Sequence, residues 1–107
     1  MDFGTYLREL RLEKSILLRE LAAAVNMDTA LLSKIEIGKR KARKEQVTAF
    51  ARALQADHEE MHKKWLADQI YDLIKKEDNP TEILRAAEEQ AEYFKKTSQS
   101  QNKNKEG

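Results

Sequence analysis

Five cations lie within six positions of this chain: Lys39, Arg40, Lys41, Arg43 and Lys44. Side chains of this kind neutralise a polyanion, the Lys ammonium as a point charge and the Arg guanidinium as a planar fork for phosphate oxygens. A second group has the spacing of metal chemistry. His58-Glu59-Glu60-Met61-His62 matches H-E-x-x-H letter for letter, which on a helix puts two imidazoles one turn apart with a carboxylate between them. Catalytic zinc needs a third protein ligand and a sheltered pocket, and the chain has no further His and no Cys. A distant carboxylate could serve in principle, but the motif opens a charged helix and recurs by chance. The expectation is therefore no metal, no cofactor, no catalytic residue and no enzyme.

The net charge of +1 hides an asymmetry. Residues 1–54 carry 11 Lys and Arg against 7 Asp and Glu, a net of +4; residues 55–107 carry 9 against 12, a net of −3. A local basic patch matters more to a polyanion than the chain total. The absence of Cys excludes a disulfide framework and a thiolate nucleophile, and fits a reducing compartment. No apolar run approaches a membrane span and no signal peptide precedes the first helix, so a soluble, cytoplasmic chain with no membrane partner is expected.

Helices must position the cations, because three Gly and one Pro leave little room for turn-rich β structure. Phe3, Leu7, Leu10 and Leu12 predict an amphipathic helix over about 2–14, with Asp2 as N-cap. Leu18, Leu21, Ala22 and Val25 predict a second over 18–25. Asn26-Met27-Asp28 is a tight turn in which Asn26 tolerates the left-handed conformation and Asp28 caps a third helix over 29–36. Gly38 ends it. Val47, Phe50, Ala51 and Leu54 mark a fourth over 44–54. Asp57 can cap a long helix over 58–77, with Met61, Trp65, Leu66, Ile70, Leu73 and Ile74 on a broad apolar face. Asp78-Asn79-Pro80 stops it and restarts a helix over 81–96, which carries Ile83, Leu84, Ala87, Ala91 and Phe94. The expected organisation is a core over 1–56, a helical hairpin over 57–96, and a disordered polar tail over 97–107.

Two short helices joined by a three-residue turn suit the major groove, where the second presents its N-terminal turns to base edges. Leu21, Ala22, Val25, Leu32 and Ile35 pack inward, which leaves Thr29, Ala30, Ser33 and Lys34 on the outer face of the third helix. The run "FGTYLRELRLEKSILLRELAAAVNMDTALLSKIEIGKRKARKEQVTAFARAL" resembles the Xre/Cro family of repressors, over about half the chain. The "LRELA…LLSKIEIGKR" core carries most of the likeness. The resemblance implies an all-α fold: a five-helix lambda-repressor-like helix-turn-helix domain, here with a C-terminal helical extension. It also implies double-stranded DNA as partner, with a homodimer on a palindromic operator.

Carried over by position, Thr29, Ala30, Ser33 and Lys34 match the base-facing residues of the family's reading helix. Lys39, Arg40 and Arg43 match the loop along the phosphates, and Lys41 and Lys44 belong to the same cluster. Arg11 and Glu36 match a structural Arg–Glu pair; an Arg there neutralises Glu36 and can still reach a phosphate. One departure stands out. The family commonly opens its second helix with Ser or Thr, which caps, and then Gln, which contacts DNA. Here those positions are Leu17 and Leu18, although a family subset also reads "LRELA". The phosphate contact then passes to Arg19.

The function implied is a sequence-specific transcription regulator, a dimeric repressor similar in size to the controller proteins of restriction–modification operons. An alternative from another class is an antitoxin whose C-terminal helices bind a toxin protein. A third is a domain that keeps the fold and has lost DNA binding. The C-terminal helices either complete the monomer core or pair with a second copy.

Overall fold

The computed structural model describes residues 1–106, the side chains of 98–106 excepted. Its described elements are six helices: α1 (Phe3–Glu13), α2 (Leu18–Ala24), α3 (Thr29–Glu36), α4 (Lys44–Ala53), α5 (His58–Ile74) and α6 (Pro80–Glu106). The chain forms two compact units, one over Met1–Ile70 and one from Tyr71 onward.

Helix starts in the first unit follow from side-chain oxygens that satisfy the otherwise orphaned first-turn N–H groups. Asp2 Oδ1 accepts from Thr5 N at 2.8 Å, and Asp28 Oδ1 from Ala30 N at 2.7 Å. Asp57 Oδ1 accepts from Glu59 N at 2.9 Å and Glu60 N at 3.3 Å. Leu17 has no side-chain oxygen to offer α2. The other half of the usual reciprocal arrangement remains, with Glu20 Oε1 accepting from Leu17 N at 2.8 Å. Gln46 does the same for Arg43 N at the start of α4, also at 2.8 Å.

Four residues in left-handed backbone set the breaks between helices. Asn26 (φ 54°) and Gly38 (φ 82°) stand where the sequence places them. Ser15 (φ 56°) and Gln55 (φ 51°) do the same work without a residue type that advertises it.

The core gathers Phe3 and Leu7 from α1, Leu21 and Ala22 from α2, and Leu32 and Ile35 from α3. Val47, Phe50, Ala51 and Leu54 join from the fourth helix and its end, and Met61 from α5. The larger of these side chains that are essentially sealed from solvent are Phe50, Leu7, Leu21, Leu32, Leu54, Met61 and Val47. Removing each from water contributes about 1.5–3 kcal/mol, which is what holds helices this short in place. Leu12, expected on the inner face of the first helix, is instead 53% exposed. Core residues Leu7 and Arg11 are one turn apart on α1, and Leu12 lies a further 100° round the helix. The core also runs past residue 56: Met61 is buried in it and Trp65 packs against it. The first part of α5 is thus the fifth helix of the domain.

In the second unit, α5 ends at Ile74, three residues earlier than its pattern predicts, where Glu77 N bonds back to the Ile74 carbonyl at 2.9 Å. Pro80 is the first residue of α6 and the Asn79 carbonyl accepts from Ile83 N at 3.2 Å. The apolar side chains Leu73, Ile83, Leu84, Tyr93 and Phe94 are exposed. Of the polar tail expected to be disordered over 97–107, residues 97–106 are the last part of α6, and residue 107 lies outside the described residues. Thr97 itself is helical, its hydroxyl donating to the Tyr93 carbonyl at 3.0 Å.

Candidate nucleic-acid interface

The turn between α2 and α3 is built by backbone bonds. Asn26 N bonds to the Ala23 carbonyl at 3.1 Å, and Met27 N reaches over the left-handed Asn26 to the Ala22 carbonyl at 2.8 Å. Ala22 is 1% exposed, and its small side chain leaves room for the close packing of α2 on α3. With Leu32 and Ile35 buried, the opposite side of α3 faces solvent. Thr29, Ala30 and Lys34 lie exposed there, whereas Ser33 is half-buried. Of the four residues expected to face bases, Ser33 is therefore the least exposed. The helix ends at Glu36, as its pattern predicts, and the exposed Ile37 is its C-cap.

The basic segment is an ordered loop. Lys39 N and Arg40 N both donate to the Lys34 carbonyl, at 2.9 and 3.2 Å, with Gly38 in the left-handed conformation that permits the reversal. Buried Ala42 pins the middle of the loop to the core, and its carbonyl accepts from Trp65 Nε1 at 2.7 Å. Lys39, Arg40, Arg43 and Lys44 are exposed around it. Lys41 Nζ lies 3.6 Å from Asp68. Arg43 and Lys44 stand at the N-cap and first position of α4. Cations there meet the positive end of the helix dipole, at a cost of about 0.3–1 kcal/mol each. An anion bound at that end would reverse the sign of this interaction.

Arg11 and Glu36 form a bidentate pair, Nε to Oε2 at 2.8 Å and Nη2 to Oε1 at 3.0 Å. Arg11 Nη1 also donates to the Ile16 carbonyl at 2.8 Å. The hydrogen bonds to Glu36 hold the Arg11 guanidinium above its ordinary pKa. With the side chain 9% exposed and each of its three nitrogens engaged, Arg11 fastens α1 to the end of α3. Gly4 makes the same junction close: a Cβ there would sit 2.5 Å from the Glu36 carbonyl oxygen. Leu18 packs against the core, and Arg19 beside it is exposed on α2.

Sequence reasoning missed Gly4, Trp65 and Asp68 as parts of this frame. Trp65 and Asp68 are one turn apart on α5, and only the fold shows that this face meets residues 41 and 42. The His58–His62 pair stacks at 5.9 Å, His62 stacks on Trp65 at 5.6 Å, and His58 Nε2 lies 3.1 Å from Thr48 Oγ1. Among the described residues no group of three or more His, Asp or Glu side chains is placed to hold a metal. Among them, too, no helix is long and apolar enough to cross a membrane.

A family model described as "Helix-turn-helix domain" matches residues 2–63. Two solved structures of the clp gene regulator ClgR from Corynebacterium glutamicum are similar to this chain, each with a TM-score of 0.55. One is 29% identical, over 61% of this chain and 84% of its own. The other is 25% identical, over 90% of this chain and 88% of its own. No curated protein matches.

Proposed function

The chain belongs to the helix-turn-helix domain family, and on that premise we propose that it is a sequence-specific double-stranded DNA-binding regulator of transcription, acting as a dimeric repressor. One observation carries the reading: the exposed face of α3 and the ordered cationic loop are consecutive in the chain, and the backbone bonds from Lys39 and Arg40 to Lys34 tie one to the other. In this reading α3 lies in the major groove. Lys34 and Thr29 reach polar base edges, Ser33 contributes at short range, and the Ala30 methyl meets a thymine methyl. Arg19, Lys39, Arg40, Arg43 and Lys44 hold phosphates, the last two with the N-terminus of α4 behind them. The regulator names of the two structural neighbours agree with this role.

The dimer rests on α6. Leu84, Ala87, Ala91 and Phe94 recur at three- and four-residue spacing and are all exposed, which suits a helix of a second copy. A twofold pair would read two half-sites about 34 Å apart on a palindromic operator. Autoregulation of a restriction–modification operon suits a chain of this size. The same exposed side chains favour a second reading, an antitoxin that seats a toxin protein on α6.

DNA titration at two salt concentrations tests the first reading. A shift with a selected sequence and steep salt dependence is expected; no binding at low salt would remove it. A monomer mass at micromolar concentration, with and without operator DNA, would remove the dimer. A stable complex with a neighbouring gene product would favour the antitoxin.

A further inference from the structure

Every residue of α6 from Thr81 to Lys96 is exposed, the apolar Ile83, Leu84, Tyr93 and Phe94 among them. A helix whose apolar side chains stand in solvent is marginal in water, so α6 calls for a partner surface. The stripe Leu84, Ala87, Ala91 and Phe94 has the alternating three- and four-residue spacing of a seam between paired helices. The two flanks of that stripe differ. One carries Glu88 and Lys95, seven residues or about two turns apart and opposite in charge. The other carries the uncharged Ile83 and Gln90.

Flanking charges set the orientation of a helix pair. In a parallel pair of identical helices, opposite flanks face each other. Glu88 would then meet Ile83, and Lys95 would meet Gln90, leaving both charges without a partner across the seam. In an antiparallel pair, like flanks face each other. Glu88 then lies against Lys95 of the other copy, the twofold axis repeats the contact, and the uncharged flanks meet on the far side. At this register the Phe94 ring of each copy falls over Ala91 of the other, a large side chain against a small one. Sliding one helix by seven residues would instead set Glu88 against Glu88. We propose that the occupant of the α6 seam is a second copy of α6 running antiparallel, with its register set by reciprocal Glu88–Lys95 pairs. This rests on the reading of the chain as a dimer through α6, and it adds the direction of the pair and the residues that fix it.

The test measures the dimer dissociation constant of the full chain by sedimentation equilibrium. Wild type, Glu88→Lys, Lys95→Glu, an equimolar mixture of these two variants, and the double variant are compared. Each single substitution turns both reciprocal contacts from attraction to repulsion and should weaken the dimer about tenfold or more. The mixture should regain wild-type affinity as a heterodimer, because a flank with two lysines then meets a flank with two glutamates. Mixing leaves each chain's own sequence unchanged, so this recovery cannot come from contacts within α6. The double variant should regain the affinity as well. Ala87→Cys, in a chain with no other Cys, should stay uncrosslinked under oxidation. Antiparallel pairing puts the two positions about 16 Å apart, whereas a disulfide needs about 7 Å or less. A dimer that neither single substitution weakens, a mixture that does not recover, or an Ala87→Cys dimer that crosslinks overturns the antiparallel pair and leaves the dimer reading standing. A wild-type chain that stays monomeric at its highest soluble concentration removes the dimer reading and this proposal with it, and leaves the α6 face to a partner of another kind.

Discussion

Replacing Glu36 by Ala removes the acceptor of two of the three hydrogen bonds made by the Arg11 guanidinium. The pair is enclosed, at 9% and 4% side-chain exposure, so water cannot easily replace the carboxylate. Breaking a buried pair in this way costs about 3–5 kcal/mol, because a charge is left without compensation. A unit the size of Met1–Ile70 has roughly 4–10 kcal/mol of stability in total. The loss is therefore a large part of the whole, and it falls at the junction that sets where α3 ends relative to α1. Urea unfolding followed by circular dichroism and by the fluorescence of Trp65, the chain's one Trp, measures it. With a slope of about 1–1.5 kcal/mol per molar urea, the midpoint should drop by about 2 M or more. The double substitution Arg11→Met with Glu36→Leu should recover most of that, because an apolar pair of similar volume leaves no charge stranded. A Glu36→Ala loss below about 1 kcal/mol, the range of exposed pairs, would refute the reasoning. So would a double variant no more stable than the single one.

Three further outcomes follow from the same geometry. Gly4→Ala drives a methyl into the carbonyls of Ile35 and Glu36 and should cost about 1–3 kcal/mol in a thermal or urea melt, in spite of Ala's better helix propensity. Trp65→Phe keeps a ring but strands the Ala42 carbonyl; a loss of about 1–3 kcal/mol is expected, with DNA affinity falling while helix content is kept. Hydrogen bonds from Thr5, the backbone N–H first, hold the Asp2 carboxyl below its ordinary pKa. Its folded pKa is thus depressed, so its contribution is present above the ordinary carboxylate range and is lost as pH falls through the lowered value. Asp2→Ala should cost about 1 kcal/mol near neutral pH and flatten the acid limb of a stability–pH curve.

Much of this fold was legible because its signals are local. Asp2, Asp28 and Asp57 cap the helices they precede, and Asn26 takes the left-handed position that its side chain tolerates. The Arg11–Glu36 pair was legible only through the family resemblance, since the partners are 25 residues apart. What stayed hidden has physical reasons. Periodicity marks a helix face but not how far the partner surface extends, so Leu12 and Leu73 read as core and stand in solvent. Ser15 and Gln55 adopt left-handed backbone where α1 and α4 end, with Ile16 N bonding back to the Arg11 carbonyl and Ala56 N to the Ala51 carbonyl, and neither residue type signals this. Trp65 bonding to Ala42 across 23 residues, and Asp68 reaching Lys41, depend on the path of α5 over the loop. Conversely, the two leucines that seemed to weaken the start of α2 are explained by Glu20, which supplies the cap from inside the helix, and by Leu18 packing on the core.

The central claim is that α3 reads sequence while the loop after it supplies affinity. Selection of bound duplexes from a random pool tests it most directly, with wild type, Lys34→Ala and Lys39→Ala in parallel. Wild type should yield a twofold-symmetric site. Lys34→Ala should relax the preference at one base pair per half-site, by about 1–3 kcal/mol, and Lys39→Ala should select the same site with uniformly weaker binding. An unselected pool from wild type, or a Lys34→Ala pool identical to that of wild type, would contradict it.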